Sequence, residues 1–160
     1  MLLGSLLLTY CLQAQVSTGS FDKLFRRIDS LILQEGIPEK AAAEVNRAYA
    51  LAKKQGNEAE VIKALLYRIS LQQMTREDAG PASITLLEKE IQTSRQPARS
   101  ILQSITASLY WIYLREHRWQ LQDRSAIEGT RPADISRWSL ADLQTRIVQL
   151  YLASVQEEKI

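Results

Sequence analysis

Two residue types on which site chemistry often depends are nearly missing: the 160 residues contain one cysteine, Cys11, and one histidine, His117. No metal site assembled from several such ligands can be built, and a cysteine–histidine catalytic pair has almost no material. Six glycines and four prolines are too few for a collagen-like, linker-like or low-complexity chain. Twenty Lys and Arg against 18 Asp and Glu leave a formal net charge of +2, too small to argue for nucleic acid or an acidic membrane surface. No apolar run reaches the roughly 20 residues that a membrane-spanning helix needs. The chain has no G-x-S-x-G, no phosphate loop and no H-E-x-x-H. These absences argue against an enzyme and imply neither cofactor nor metal. What is present is a chain 46% hydrophobic, of a length that suits one ordinary domain.

The first charged residue is Asp22. Before it, Met1–Leu12 (MLLGSLLLTYCL) is an apolar run of about a dozen positions, too short to span a bilayer but matching a secretory h-region. Leu12-Gln13-Ala14 resembles a cleavage site with Ala14 at −1, so residues 1–14 read as a signal peptide, although no Lys or Arg precedes the run. Tyr10 stands where a lipoprotein signal requires a small residue before Cys11, which argues against lipidation. Cleavage after Ala14 leaves an exported chain, periplasmic, cell-surface or secreted, with no cysteine. Export permits disulfides without requiring them, so such a chain relies on its core. Residues 15–20 (QVSTGS) are expected as a disordered linker and 21–157 as the folded domain.

Helical spacing of apolar residues runs through that domain. The first helix is expected over 21–34, with Leu24, Ile28, Leu31 and Ile32 inward and Gly36 stopping it. Pro38 suits the first turn of a second helix to Gln55, whose stripe of Ala41/Ala42, Val45, Ala48/Tyr49 and Ala52 is small enough for close approach. Gly56-Asn57 breaks it, and Asn57 is a fitting N-cap for a third helix over 58–74 carrying Ile62, Leu65/Leu66 and Ile69. So short a connection makes the two helices antiparallel. A similar pair follows, 82–94 with Ile84, Leu87 and Ile91, then a long helix from Gln96-Pro97 to His117 with Ile101/Leu102, Ile105, Leu109 and Ile112/Tyr113. The hairpins start about forty residues apart, the mark of helical repeats that bury their faces on one another. Residues 118–131 lose the period and read as a loop or strap pinned by Trp119, Leu121 and Ile127. Residues 134–138 form a short turn, and Ser139 caps a last helix over 140–157 with Asp142 in a capping-box position; Leu143, Ile147, Leu150/Tyr151 and Val155 line its inner face. No segment has strand periodicity. The expected class is all-α: about six helices, as antiparallel hairpins stacked in a right-handed, tetratricopeptide-like array.

Few residues invite a chemical role. His117 sits at a helix C-terminus, where the dipole favours its cation, with no partner signalled nearby. Glu58/Glu60, Glu77/Asp78, Glu88/Glu90 and Glu157/Glu158 read as solvated faces; Glu88 and Glu90, two apart, point to different sides of a helix. Arg26-Arg27 and Lys53-Lys54 are lone dibasic pairs. The most distinctive feature is aromatic: Tyr110, Trp111 and Tyr113, with Trp119 and Trp138. Consecutive aromatics on a helix cannot all face inward, so this cluster is either core and strap packing or a contact site for a neighbouring domain or partner. A buried Trp requires a partner for its indole N–H.

The first hairpin resembles a tetratricopeptide unit at Tyr49, Ala52, Gly56-Asn57, Ala59 and Ala64-Leu65, without that pattern's opening Trp and closing Pro. A broader resemblance rests on Ile28-Asp29-Ser30-Leu31, Gly36-Ile37-Pro38, Ile62-Lys63-Ala64-Leu65, Leu87-Glu88-Lys89-Glu90-Ile91, Leu102-Gln103-Ser104 and Leu109-Tyr110-Trp111. It continues with Tyr113, Arg118-Trp119, Arg124-Ser125, Asp134-Ile135-Ser136-Arg137-Trp138 and Leu140. In order and spacing these stretches resemble the helical N-terminal segment of large exported bacterial alpha-2-macroglobulin-like protease inhibitors. The resemblance implies a non-enzymatic scaffold or docking module, part of a longer protein. Its partners would be downstream β-domains or another protein, and a target protease would be met only through domains beyond this sequence. The family's Cys-x-Glu-Gln thioester has no counterpart; Cys11-Leu12-Gln13 is not that motif. Two alternatives stand beside it: a free-standing tetratricopeptide-like module that binds protein or peptide, and an enzyme using His117.

Overall fold

Every described segment with regular structure is helical. The structure, a computed structural model, describes residues 19–122, 124, 132 and 134–156. Among them are α1 (residues 19–33), α2 (Pro38–Gln55), α3 (Glu58–Thr75), α4 (Gly80–Thr93), α5 (Ala98–Glu116), α6 (Arg118–Leu121) and α7 (Leu140–Val155), with a 3-10 turn at Ile135–Arg137 ahead of α7. The chain is all-α, as the periodicity predicts, and its boundaries lie within about two residues of expectation, as helix ends usually do. The signal-peptide segment 1–14, residues 15–18 of the expected linker and Ile127 lie outside the described residues; residues 19 and 20 already belong to α1. No described helix is long and apolar enough to cross a membrane.

The chain divides into two compact units, residues 1–71 and 72–160, with the boundary inside α3. In the first unit the reading of α2 holds: Ala41, Val45, Ala48 and Ala52 are buried. Gly56 ends α2 in the left-handed conformation (φ 65°), and the N–H of Asn57 reaches back to the Ala52 carbonyl at 3.0 Å. That pattern satisfies last-turn carbonyls where only glycine is unstrained. On α1, Phe21 and Phe25 join Ile28 and Leu31 in the core. Phe25 packs against Tyr67 of α3 (centroids 5.1 Å apart), and the Tyr67 hydroxyl donates to Asp29 at 2.6 Å. Arg68 donates to Asn46 at 2.6 Å and lies over the Tyr49 ring, which ties α3 to α2. Leu66, expected inward, is 45% exposed; Val61, Ala64, Leu65 and Ile69 carry the buried line instead.

In the second unit α5 is the central element, packing on α4 and on α7. Its buried line is Leu102, Thr106, Tyr110 and Tyr113, with Ala107 and Leu114 beside it. Ile101, expected inward, is 46% exposed, and Ile105, Leu109 and Ile112 are only half-buried. The apolar stripe passes over Thr106 and Tyr110, yet each can be buried because its hydroxyl has a partner indoors. Thr106 donates to the Leu102 carbonyl at 2.7 Å and Tyr110 to Glu88, so their burial leaves no unmet hydrogen bond. Gly80, at the start of α4, lets Tyr113 approach; a Cβ there would stand 3.3 Å from the ring.

The expected strap begins as helix: α6 buries Leu121 but leaves Trp119 80% exposed. Leu121 is therefore the pin and Trp119 is not. The Arg124 guanidinium donates to the Ser136 carbonyl, and the Asp134 carboxylate accepts from Ser136 N at 2.9 Å, capping the 3-10 turn. The capping box at α7 is formed as predicted. Ser139 Oγ accepts from Asp142 N at 3.2 Å, and Asp142 Oδ2 accepts from Ser139 N at 3.1 Å.

Candidate functional site

The second unit gathers two of the five aromatic residues, Tyr110 and Trp138, around one carboxylate. Glu88 extends from α4 toward both α5 and α7. Its Oε1 accepts from Tyr110 Oη at 3.2 Å and from Arg146 Nε at 2.9 Å, while Oε2 accepts from Arg146 Nη2 at 2.6 Å. This is the two-pronged arginine–carboxylate geometry, the strong form of an ion pair. Both side chains are mostly removed from solvent, at 29% and 24% exposure for Arg146 and Glu88. Burial alone would lower the Arg146 pKa, but the hydrogen bonds and charge of Glu88 outweigh it and hold the guanidinium above its ordinary value. Burial first, then the Glu88 charge, push the Tyr110 phenol well above its ordinary value.

Tyr110 stacks on Trp138, with centroids 5.7 Å apart and planes 17° apart. The Trp138 indole N–H donates to the Pro132 carbonyl at 2.8 Å, the polar partner that a buried tryptophan requires. A cavity of about 420 Å³ opens over this group, walled by Ile84, Ile135 and Trp138 with Glu88, Tyr110 and Arg146 among its polar lining. Tyr113, the third buried aromatic, stacks on His117 at 4.1 Å. His117 Nδ1 lies 2.9 Å from the Tyr113 carbonyl; a carbonyl can only accept, so Nδ1 carries the proton. His117 thus closes the last turn of α5.

The two remaining aromatics point away from the core. Trp111 is 51% exposed and Trp119 is 80% exposed, one on each side of the His117 joint between α5 and α6. The structure therefore separates the aromatic cluster: Tyr110, Tyr113 and Trp138 are packing residues, whereas Trp111 and Trp119 offer surface. Glu88 and Glu90 do diverge, yet neither is a solvated face; Glu88 is half-buried and Glu90 is buried. Glu157 and Glu158 lie outside the described residues. Among the described residues no group of three or more His, Cys, Asp or Glu could hold a metal ion.

Two features escape the pattern reading. Arg146 is one charge among many in the sequence, and only the fold brings it 58 residues back to Glu88. The outer side of α7 is the other: Val148, Tyr151, Leu152 and Val155 are 55%, 41%, 57% and 75% exposed. Tyr151 and Val155, which periodicity groups with Leu150 on the inner face, thus lie outward. The signal was available, because α7 has too many apolar positions for one face. No family model matches the chain, and neither does any curated protein or any solved structure.

Proposed function

We propose that this chain is the helical docking module of an exported alpha-2-macroglobulin-like inhibitor, a scaffold that does no chemistry itself, its hairpins stacked in a right-handed, tetratricopeptide-like array. The observation that carries this reading is the pair of exposed tryptophans, Trp111 and Trp119, at the α5–α6 joint. A tryptophan in water leaves a large rigid apolar surface unused, and such residues are enriched at the energetic centres of interfaces. The chemically capable groups are meanwhile engaged in structure: Glu88 in an ion pair, Tyr110 on Glu88, His117 on a carbonyl. The free-standing peptide-binding alternative draws less support, since Asn46 and Arg68, polar groups of the first hairpin, are bonded to each other.

The test is site-specific photo-crosslinking in the exporting cell, with the probe at position 111 or 119 and a control at exposed Lys53 on α2. The expected result is a cross-link from 111 and 119, absent from 53, to a macroglobulin-type β-domain, on protein whose N-terminus is Gln15. Equal labelling from all three positions, or a retained Met1, sinks the reading.

A further inference from the structure

We propose that the outer face of α7 is a homodimer interface, occupied by the same face of a second copy of this chain. The reasoning starts with the helix. Leu143, Ile147 and Leu150 form one buried stripe of α7, while Val148, Tyr151, Leu152 and Val155 form a second stripe at i, i+3, i+4, i+7, about a third of a turn round the helix. A helix with two apolar stripes needs cover on both.

The stripe is not isolated. Tyr151 Oη lies 3.1 Å from Ser108 Oγ, which sets the outer edge of α5 beside it. Glu88 reaches both Tyr110 and Arg146, and Ser108 meets Tyr151, so α5 and α7 run antiparallel. Ile101, 46% exposed and two turns before Ser108, therefore lies toward the Val155 end. Ser104 and Ser108, small and half-buried, leave a shallow floor between the two helices where another helix can come close.

Charge favours a second copy as the occupant. Two-fold pairing sets each residue against its own kind or its symmetric neighbour, so charges in the patch would repel. This patch has none: residues 147–155 of α7 are uncharged, with Glu157 the first charge in sequence after them, and α5 carries no charge between Arg99 and Arg115. The nearest charge on α7, Arg146, is bound to Glu88 at 2.6 Å. Charge depletion of this kind is the mark of an interface centre rather than of a solvated face. Area agrees as well. The five exposed apolar side chains present on the order of 500 Å² per copy, or about 1,000 Å² for the pair, which reaches the threshold of a specific interface. The stripe is centred on Tyr151 and Leu152, so an antiparallel pair of α7 helices places each Leu152 near its mate.

Sedimentation equilibrium of the full chain and of Leu152→Glu tests this directly. The expected result is a dimer for the parent and a dimer Kd raised roughly tenfold or more for the variant, with far-UV circular dichroism unchanged. As a second measurement, Leu152→Cys in a Cys11→Ser chain should oxidise to a covalent dimer, whereas Lys53→Cys should not; this decides the matter if the glutamate variant loses its fold. A parent that stays monomeric to about 100 μM overturns the proposal, whether the face is bare or reserved for another protein. So does association that survives Leu152→Glu, including association through Met1–Leu12. Loss of the Trp111 and Trp119 cross-links would leave these results untouched, so the docking reading and the dimer fail separately.

Discussion

Glu88 is the residue on which the second unit converges, because one half-buried carboxylate satisfies a guanidinium from α7 and a phenol from α5. Removing it strands two polar groups. Glu88→Ala should therefore cost about 1–3 kcal/mol, the penalty of unmet polar groups rather than the small net value of the bonds. Adding Arg146→Ala should recover part of that loss, since the stranded cation goes with it. Chemical denaturation of the two single variants and the double variant checks this, and strict additivity would remove Glu88 from its place. Tyr67 makes a different prediction. Burial first, then the hydrogen bond and charge of Asp29, raise its phenol from 10.0 to about 12. The folded chain thus holds a proton that the unfolded chain releases, so the associated stability is complete below pH 10 and disappears as pH rises toward 12. Denaturation midpoints should fall across that window, and Tyr67→Phe should flatten part of the fall.

At the scale of elements, the local signals carry most of what is legible. The Schellman turn at Gly56, the proline at the start of α2 and the Ser139–Asp142 box all read directly from spacing, because each depends on neighbours within one turn. Ser139→Ala removes one arm of a box that is itself buried and should cost about 1–2 kcal/mol, measured by thermal or urea unfolding. Face assignment was harder. The buried line of α5 lies a fraction of a turn from the apolar pattern: Thr106 counts as polar there and Tyr110 falls off the stripe, yet both are buried with a carbonyl and Glu88 receiving their hydroxyls. The pairing of Arg146 with Glu88 depends on contact across 58 residues, which no local rule reaches. Sequence alone offers Tyr110, Trp111, Tyr113, Trp119 and Trp138 together as contact candidates, and which of the five face solvent follows only from the helix phase.

For the whole molecule, the two compact units share α3, whose hydrogen-bonded turns run through the boundary at Leu71 and Gln72. A continuous helix resists breaking in its middle, because two separate segments need two costly nuclei in place of one. All three tryptophans, 111, 119 and 138, lie in the second unit, so their fluorescence reports that unit while far-UV circular dichroism reports both. The two unfolding curves should coincide, and separated midpoints would show that α3 does not couple the units. The stretch of α5 from Ser100 to Leu114 carries not a single charge. Ionic screening has nothing to act on there. Any contact made through that surface tightens in sulfate and loosens in the cold, as apolar burial does, so a chain with nearly balanced charge becomes least sociable on ice and stickiest in warm sulfate.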